Sequence, residues 1–117
     1  MKKAGGLGLP PSVRIGPFDF RVDPWPAAEA AQREALGEID RIGLVIRIRQ
    51  DLPPQRQAET LLHEIVHGIW SVGSIDCLVP GEEGFVSAFS TFLMQVMRDN
   101  PQLLAWFVAT AERPAVA

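Results

Sequence analysis

The chain has 117 residues, of which 47% are hydrophobic and 21% are charged, and its formal net charge is -3. This length and apolar content predict one globular domain and exclude a fully disordered protein. The acidic balance argues against a nucleic-acid binder, which would carry a basic surplus. The single cysteine, Cys77, excludes an internal disulfide. No stretch is long and apolar enough to span a membrane, and Met1–Pro11 lacks the apolar core of a signal peptide, so we expect a cytoplasmic protein.

The sequence divides into a Gly- and Pro-rich flexible arm (residues 1–12), a single domain (residues 13–111) and a C-terminal tail (residues 112–117). Apolar and polar residues alternate over Val13–Asp23, and the parity changes at Gly16–Pro17, which predicts a bent or interrupted strand. Ala27–Leu36 predicts a short helix or turn that Gly37 closes.

The strand predicted before the main helix is Leu44–Arg49, which is β-branched and bounded by Gly43 and Pro53. Alternation places Arg47 and Arg49 on one face of this strand. A strand with one polar face is expected at a sheet edge or with one side in water.

Three helices are predicted in the second half of the chain. Apolar spacing gives a strong helix over Gln55–Val72 and a second over Glu82–Arg98. Asn100 as N-cap and Pro101 as first helical residue predict a third helix to about Ala111. Together the elements predict an α+β fold with a small antiparallel sheet of two or three strands packed on two main helices.

The first long helix carries His63-Glu64-Ile65-Val66-His67, and these are the only two histidines of the chain. Residues four apart lie one turn apart on one helix face, so both imidazoles can bind one Zn²⁺. Glu64 is placed to accept a proton from a metal-activated water. Zinc peptidases use a third protein ligand, for which the residues alone leave four candidates: Asp76, Cys77, Glu82 and Glu83.

Several segments resemble the small metallopeptidase-like proteins of phage and prophage genomes: Thr60–Ile69, Glu82-Glu83 with Val86, Arg98–Pro101, and Gly37–Asp40. These proteins are minimal glutamate-zincins, in which a Glu on a following helix is the third zinc ligand. The chain is more distantly similar to ImmA/IrrE-type peptidases, where a glutamate precedes an Ala-Asn-x-Phe-Ala run. Matching that run to Val86–Ser90 implies Glu83 as the third ligand, with Ser87 in place of the asparagine. The resemblance covers roughly Val13–Phe107 and implies a zincin-like fold.

The function predicted from motif and resemblance is that of a zinc metallopeptidase, with His63, His67 and Glu83 as metal ligands and Glu64 as general base. Its partner is a protein or peptide substrate that can pair with the strand Leu44–Arg49 by β-addition. No nucleic-acid or membrane partner is expected, and without a helix-turn-helix or basic patch a DNA-linked regulator is disfavoured.

The alternative is a phage binding or assembly protein with a structural or vestigial zinc site. The apolar content of the second long helix exceeds what one buried face needs and predicts a possible homo-oligomer. The residues concerned are Phe85, Phe89, Phe92, Met94 and Met97.

Overall fold

A computed structural model of the chain describes residues 8–75 and 81–112. These residues contain four strands: β1 (Ser12–Ile15), β2 (Phe18–Trp25), β3 (Gly37–Asp40) and β4 (Val45–Arg49). They also contain four helices: α1 (Ala27–Gln32), α2 (Pro54–Val72), α3 (Gly81–Asp99) and α4 (Pro101–Glu112). The fold is α+β, as the sequence predicts, and the three predicted long helices are confirmed to within one or two residues at each end.

The four strands form one mixed sheet in the order β1-β2-β4-β3. β1 pairs with β2 and β3 pairs with β4 in antiparallel fashion, but β2 and β4 are parallel. The prediction of a purely antiparallel sheet with two or three strands is therefore wrong. The physical reason is the crossover: α1 and β3 carry the chain back to the start of β2, so that β4 can run alongside it in the same direction.

The alternating segment at the start of the domain is a hairpin rather than one bent strand. Ile15 pairs with Phe18 across a turn made by Gly16 and Pro17. Gly16 has a φ of +60°, which glycine adopts without steric penalty and which a two-residue hairpin turn requires. The change of parity at this point is thus the signature of a chain reversal.

β4 lies inside the sheet, between β2 and β3, so it is not an edge strand and a peptide cannot add to it. The other expectation, that one side of β4 faces water, fits the partly exposed Arg47 and Arg49. Its arginines are paired: Arg47 Nη1 lies 2.7 Å from Glu38 Oε2, and Arg49 Nε lies 2.7 Å from Asp51 Oδ1. The opposite face of β4 contributes Ile46 and Ile48 to the core. The edge strand on this side is β3.

The core lies between one face of the sheet and the helices. From α2 it takes the stripe Leu61, Ile65 and Ile69, and the sheet adds buried residues from β1, β2 and β4. Packing is close at Gly68, where a Cβ atom would lie 2.7 Å from Ile15 Cδ1. Five apolar residues of α3 predicted an oligomer, and three of them, the phenylalanines, pack against this core. The other two, Met94 (62% exposed) and Met97 (46% exposed), are open to solvent.

The C-terminal end of α3 closes the outer edge of β1. Asn100 accepts a hydrogen bond from Arg14 N at 2.8 Å and donates to Arg14 O at 3.0 Å. Gln95 accepts from Gly16 N at 2.7 Å and donates to Arg14 O at 3.1 Å. Asn100 precedes α4 as predicted, but its side chain bonds Arg14 of β1 and donates to Val96 O of α3. Only its carbonyl accepts from the first turn of α4, from Leu103 N and Leu104 N.

Part of the predicted flexible arm belongs to the fold. Pro10 is buried, and the carbonyl of Pro11 accepts a hydrogen bond from Val22 N at 3.0 Å. Residues 1–7 of the arm and residues 113–117 of the predicted tail lie outside the described residues, whereas Glu112 is the last residue of α4. None of the described helices is long and apolar enough to cross a bilayer.

Candidate metal and catalytic site

His63 and His67 lie together on the exposed face of α2. Their ring centroids are 4.8 Å apart and the ring planes are inclined by 70°. Both side chains are exposed to solvent. Two imidazoles one turn apart on an accessible helix face fit the nitrogen donors that Zn²⁺ prefers.

Glu64 lies between the histidines in sequence but points to a different side of the helix. Its side chain is buried, with only 6% of the residue exposed. Burial raises the pKa of the Glu64 carboxyl, the neighbouring His63 and His67 lower it, and Glu38 raises it further. A carboxylate whose pKa is raised by burial is a better proton acceptor than an exposed glutamate.

Gly37 of β3 leaves the space that the Glu64 carboxylate occupies. A Cβ atom on Gly37 would lie 3.3 Å from Glu64 Oε2, 2.8 Å from Thr60 Cγ2 and 3.0 Å from the carbonyl oxygen of Arg47. Any larger residue would therefore displace the side chains that α2 presents to β3. Gly37 opens an edge strand and, contrary to expectation, closes no helix.

β3 runs alongside α2 in the same direction. Gly37 lies against Thr60 and Glu64, and Ile39 Cδ1 lies 3.2 Å from where a Cβ of Gly68 would be. The amide of Arg49 on β4 donates to Leu36 O, so the backbone groups of Leu36 point towards β4. In an antiparallel pair the residues of one strand point alternately towards and away from the partner strand, so the N–H and C=O groups of Gly37 and Ile39 point away from β4, to the outer edge of the sheet.

A cleft of about 310 Å³ opens between β3 and α2, and it contains His63 and Glu64. The α2 side of the cleft continues through Thr60 to Glu59 and Arg56, which form an exposed ion pair. The other wall is the chain entering β3, Ala35–Gly37. The cleft brings together the buried carboxylate, one histidine and the outer edge of the sheet.

A third metal ligand is not assembled among the residues that the structure describes. Residues 8–75 and 81–112 contain no group of three or more His, Cys, Asp or Glu side chains able to hold a metal. The structure thus brings His63 and His67 together without joining Glu82 or Glu83 to them. Asp76 and Cys77 lie outside the described residues. Glu83 as third ligand stays a prediction.

The orientation of α3 nevertheless distinguishes the two glutamates. The ring of Phe85 lies 5.6 Å from the ring of Trp70 on α2, so this side of α3 faces α2. At 100° per residue, Glu82 lies roughly 60° around the helix from Phe85, and Glu83 roughly 160°. Glu83 therefore shares the outer face with Ser87 and Met94, both exposed. Helix geometry favours Glu82, whereas the resemblance implies Glu83.

Three positions in this region were not singled out as site residues from the sequence alone. Gly37 lies against Thr60 and the Glu64 carboxylate, and the ring of Phe85 on α3 packs beside Trp70 on α2. A glycine immediately before Glu38-Ile39-Asp40 is a weak sequence signal, because glycine opens many turns and strands. No sequence signal points to Thr60, since its role depends on the strand that passes it.

The chain was compared with models of protein families, with curated protein sequences and with solved structures, and none of the three comparisons finds a significant match.

Proposed function

We propose that the protein is a zinc-dependent peptide hydrolase that uses Glu64 as its general base. The observation that carries this proposal is the contrast on one helix: two exposed imidazoles that share a face, beside a buried carboxylate with a raised pKa. A buried acid next to two metal-ligating side chains is unfavourable for folding and is typical of catalytic sites.

In this proposal His63 and His67 hold the metal together with one glutamate from the first turn of α3. Zinc bound there would supply a Lewis acid and an acidified water. Glu64 takes the proton from the attacking water and delivers it to the leaving amine nitrogen, which requires a carboxyl that can change its protonation state near neutral pH. Burial beside Gly37 raises the pKa of this carboxyl and hence its proton affinity.

The substrate in this proposal is an extended peptide. The outer backbone groups of Gly37 and Ile39 can pair with such a peptide, since main-chain hydrogen bonds to an edge strand need no particular sequence. The cleft beside them leads to Glu64 and His63. In this proposal the peptide adds to β3, whereas the sequence predicts that it adds to Leu44–Arg49. Because Arg47 is bonded to Glu38, we assign it no part in substrate recognition.

The proposal is tested by zinc content and peptide cleavage measured together. Glu64→Gln removes the base and keeps the shape, so cleavage of an unstructured peptide library should fall by about 10²–10⁴ while zinc affinity changes little. His63→Ala should lose both zinc and cleavage. A wild-type protein that binds zinc but cleaves no peptide would refute the hydrolase. Equal rates for wild type and Glu64→Gln would refute the role of Glu64.

A second function is favoured by the surface next to the histidines. Leu62, Val66 and Trp70 are each about 40% exposed and lie four residues apart along α2, so they form an apolar stripe. Such a stripe fits a binding or assembly protein in which zinc has a structural role. In that case Glu64→Gln should change neither zinc content nor partner binding, while Val66→Asp should abolish binding.

A cytoplasmic location, that of the host if a phage encodes the protein, stays a prediction.

A further inference from the structure

Most of the length of the three long helices carries no charge. Residues 60–75, 84–97 and 100–111 contain one Asp, Glu, Lys or Arg in all, Glu64, and this residue is buried. The charges of the described residues lie instead on the sheet, around α1 and near the ends of the long helices. Surfaces that stay in water normally mix charges of both signs, so the exposed parts of these helices differ from the rest of the domain surface.

The uncharged part of α2 presents an apolar stripe that continues onto α3. Leu62, Val66 and Trp70 are each about 40% exposed and lie four residues apart, on one side of the helix. The ring of Trp70 lies 5.6 Å from the ring of Phe85, which stacks on Phe89 at 5.5 Å. The two helices therefore share one apolar surface.

This surface extends along one side of α3. Val86 (48% exposed) and Met97 (46% exposed) lie within roughly 20° of each other around the helix axis, and the half-buried Leu93 lies between them. Ser90 is on the same side, and its hydroxyl donates to the Val86 carbonyl at 2.6 Å, so an apolar partner would leave no hydroxyl donor unsatisfied there. We call the surface formed by these side chains the neutral face: Leu62, Val66, Trp70, Phe85, Val86, Phe89, Ser90, Leu93 and Met97.

The neutral face has the area and the charge that contact between two copies requires. Its exposed apolar atoms amount to roughly 500 Å², and a standard interface buries about 800 Å² per partner, of which about 65% is apolar in homodimers. No like charges meet when two such faces come together, although each chain has a net charge of -3. The acidic first turn of α3, with Glu82 and Glu83, adjoins the neutral face and disfavours an anionic membrane as the partner.

We propose that the neutral face binds a second copy of this chain, with the two α2 helices antiparallel across a two-fold axis near Val66. A two-fold interface pairs a surface with itself, and Val66 is the middle residue of the stripe on α2. The cleft beside β3 stays open in this dimer, because Thr60 and Glu64 face β3 from another side of α2. The inference goes beyond both proposed functions, since the dimer requires neither zinc nor peptide cleavage.

The test is sedimentation velocity on the full chain in EDTA, at up to about 100 µM protein, where a dimer with a dissociation constant of roughly 1 µM is almost fully formed. Wild type should sediment with twice the monomer mass of 12.8 kDa. Val66→Lys should raise the dissociation constant about a hundredfold or more, because two like charges then lie beside the axis. Mixing Val66→Lys with Val66→Asp should restore the dimer, since the charges are then opposite.

The matched control is Ile42→Lys, which adds the same charge at a 94% exposed apolar residue in the turn between β3 and β4 and should leave the dimer intact. If Val66→Lys does not fold, Val86→Lys makes the same comparison from α3. A wild-type chain that stays monomeric overturns the inference, and so does a Val66→Lys variant that dimerises like wild type. A monomer that cosediments with phosphatidylcholine vesicles also overturns it, because lipid would then cover the neutral face.

Discussion

The Cβ position of Gly37 lies 3.3 Å from Oε2 of Glu64, so the side chain of the proposed base fills a space that exists because β3 begins with glycine. Glu64 reaches this space from α2, which packs against β3 at this point. The space for the carboxylate is thus set by the first residue of β3, which has no side chain of its own.

Gly37→Ala should therefore impair both stability and catalysis. The added methyl would meet Thr60 Cγ2 at 2.8 Å and the Arg47 carbonyl at 3.0 Å, and overpacking of this kind costs about 1–3 kcal/mol. Displacement of Glu64 should lower the rate of peptide cleavage by roughly tenfold to a hundredfold. Urea unfolding and cleavage assays check this. The control is Gly8→Ala, since no atom lies within 4 Å of a Cβ there. Equal effects at both positions would contradict the steric argument.

Glu64 should make the metal-free protein less stable as the pH rises. Burial raises the pKa of its carboxyl in the folded chain, so the folded state binds more protons than the unfolded state, and the free energy of unfolding falls as the pH rises from the unfolded pKa through the folded one. In EDTA, Glu64→Gln should therefore be more stable than wild type at pH 7, with a smaller difference at pH 4. Glu59→Gln, which replaces an exposed carboxylate on the same helix, should show no such gain. Denaturant titrations at the two pH values would contradict the prediction if the stability gained by Glu64→Gln were the same at both.

The third ligand can be identified with two adjacent variants. Glu82 and Glu83 are both exposed in the first turn of α3, so each loses the same favourable interaction with the helix dipole when replaced by Ala. Only the true ligand should reduce zinc affinity by at least about tenfold. The orientation of α3 predicts Glu82→Ala as the weaker binder, whereas the family resemblance predicts Glu83→Ala. Equal affinities for both variants would mean that the third ligand lies elsewhere.

Removal of zinc should lower the melting temperature. Zinc at a hundredfold excess over its dissociation constant adds about 2.7 kcal/mol to the free energy of unfolding, which corresponds to roughly 10 °C for a domain of this size. His67→Ala should abolish the difference between scans in EDTA and in zinc. Gln55→Ala, an exposed position on the same helix, should preserve it. A wild-type melting temperature that is unchanged by EDTA and by zinc would show that no metal stabilises this fold.

Sequence reasoning was most reliable for the helices and for the histidine pair. The apolar periodicity of α2 and α3 is long enough to define each helix, and helical spacing alone places His63 and His67 on one face. Both are local properties of the chain, in which neighbours within one turn determine the result. The surroundings of the Glu64 side chain are not a local property, because they depend on the packing of Gly37 on β3 against Thr60 on α2.

The sheet could not be derived in the same way. β3 has the sequence Gly-Glu-Ile-Asp, with a single large apolar residue, and it is a strand because its backbone pairs with β4. The parallel pairing of β2 and β4 depends on where the crossover leaves the chain, which no local pattern encodes. The side chain of Asn100 shows the same limit: its type suits a helix cap, but its hydrogen bonds go to Arg14 at the edge of β1 and to the Val96 carbonyl of α3.

The two edges of the sheet differ in a way that limits self-association. At β1 the outward backbone groups of Arg14 are bonded by Asn100 and Gln95, whereas at β3 those of Gly37 and Ile39 face outward. In polymer terms the part of the domain formed by residues 8–75 and 81–112 is monofunctional for strand pairing, since one sheet edge can accept a strand and the other is capped at Arg14. Two copies joined through β3 would form a continuous sheet with capped β1 strands at both ends, and growth would stop at the dimer. Fibril formation requires an accepting edge on both sides of every copy, so it requires the Asn100 and Gln95 bonds to break first.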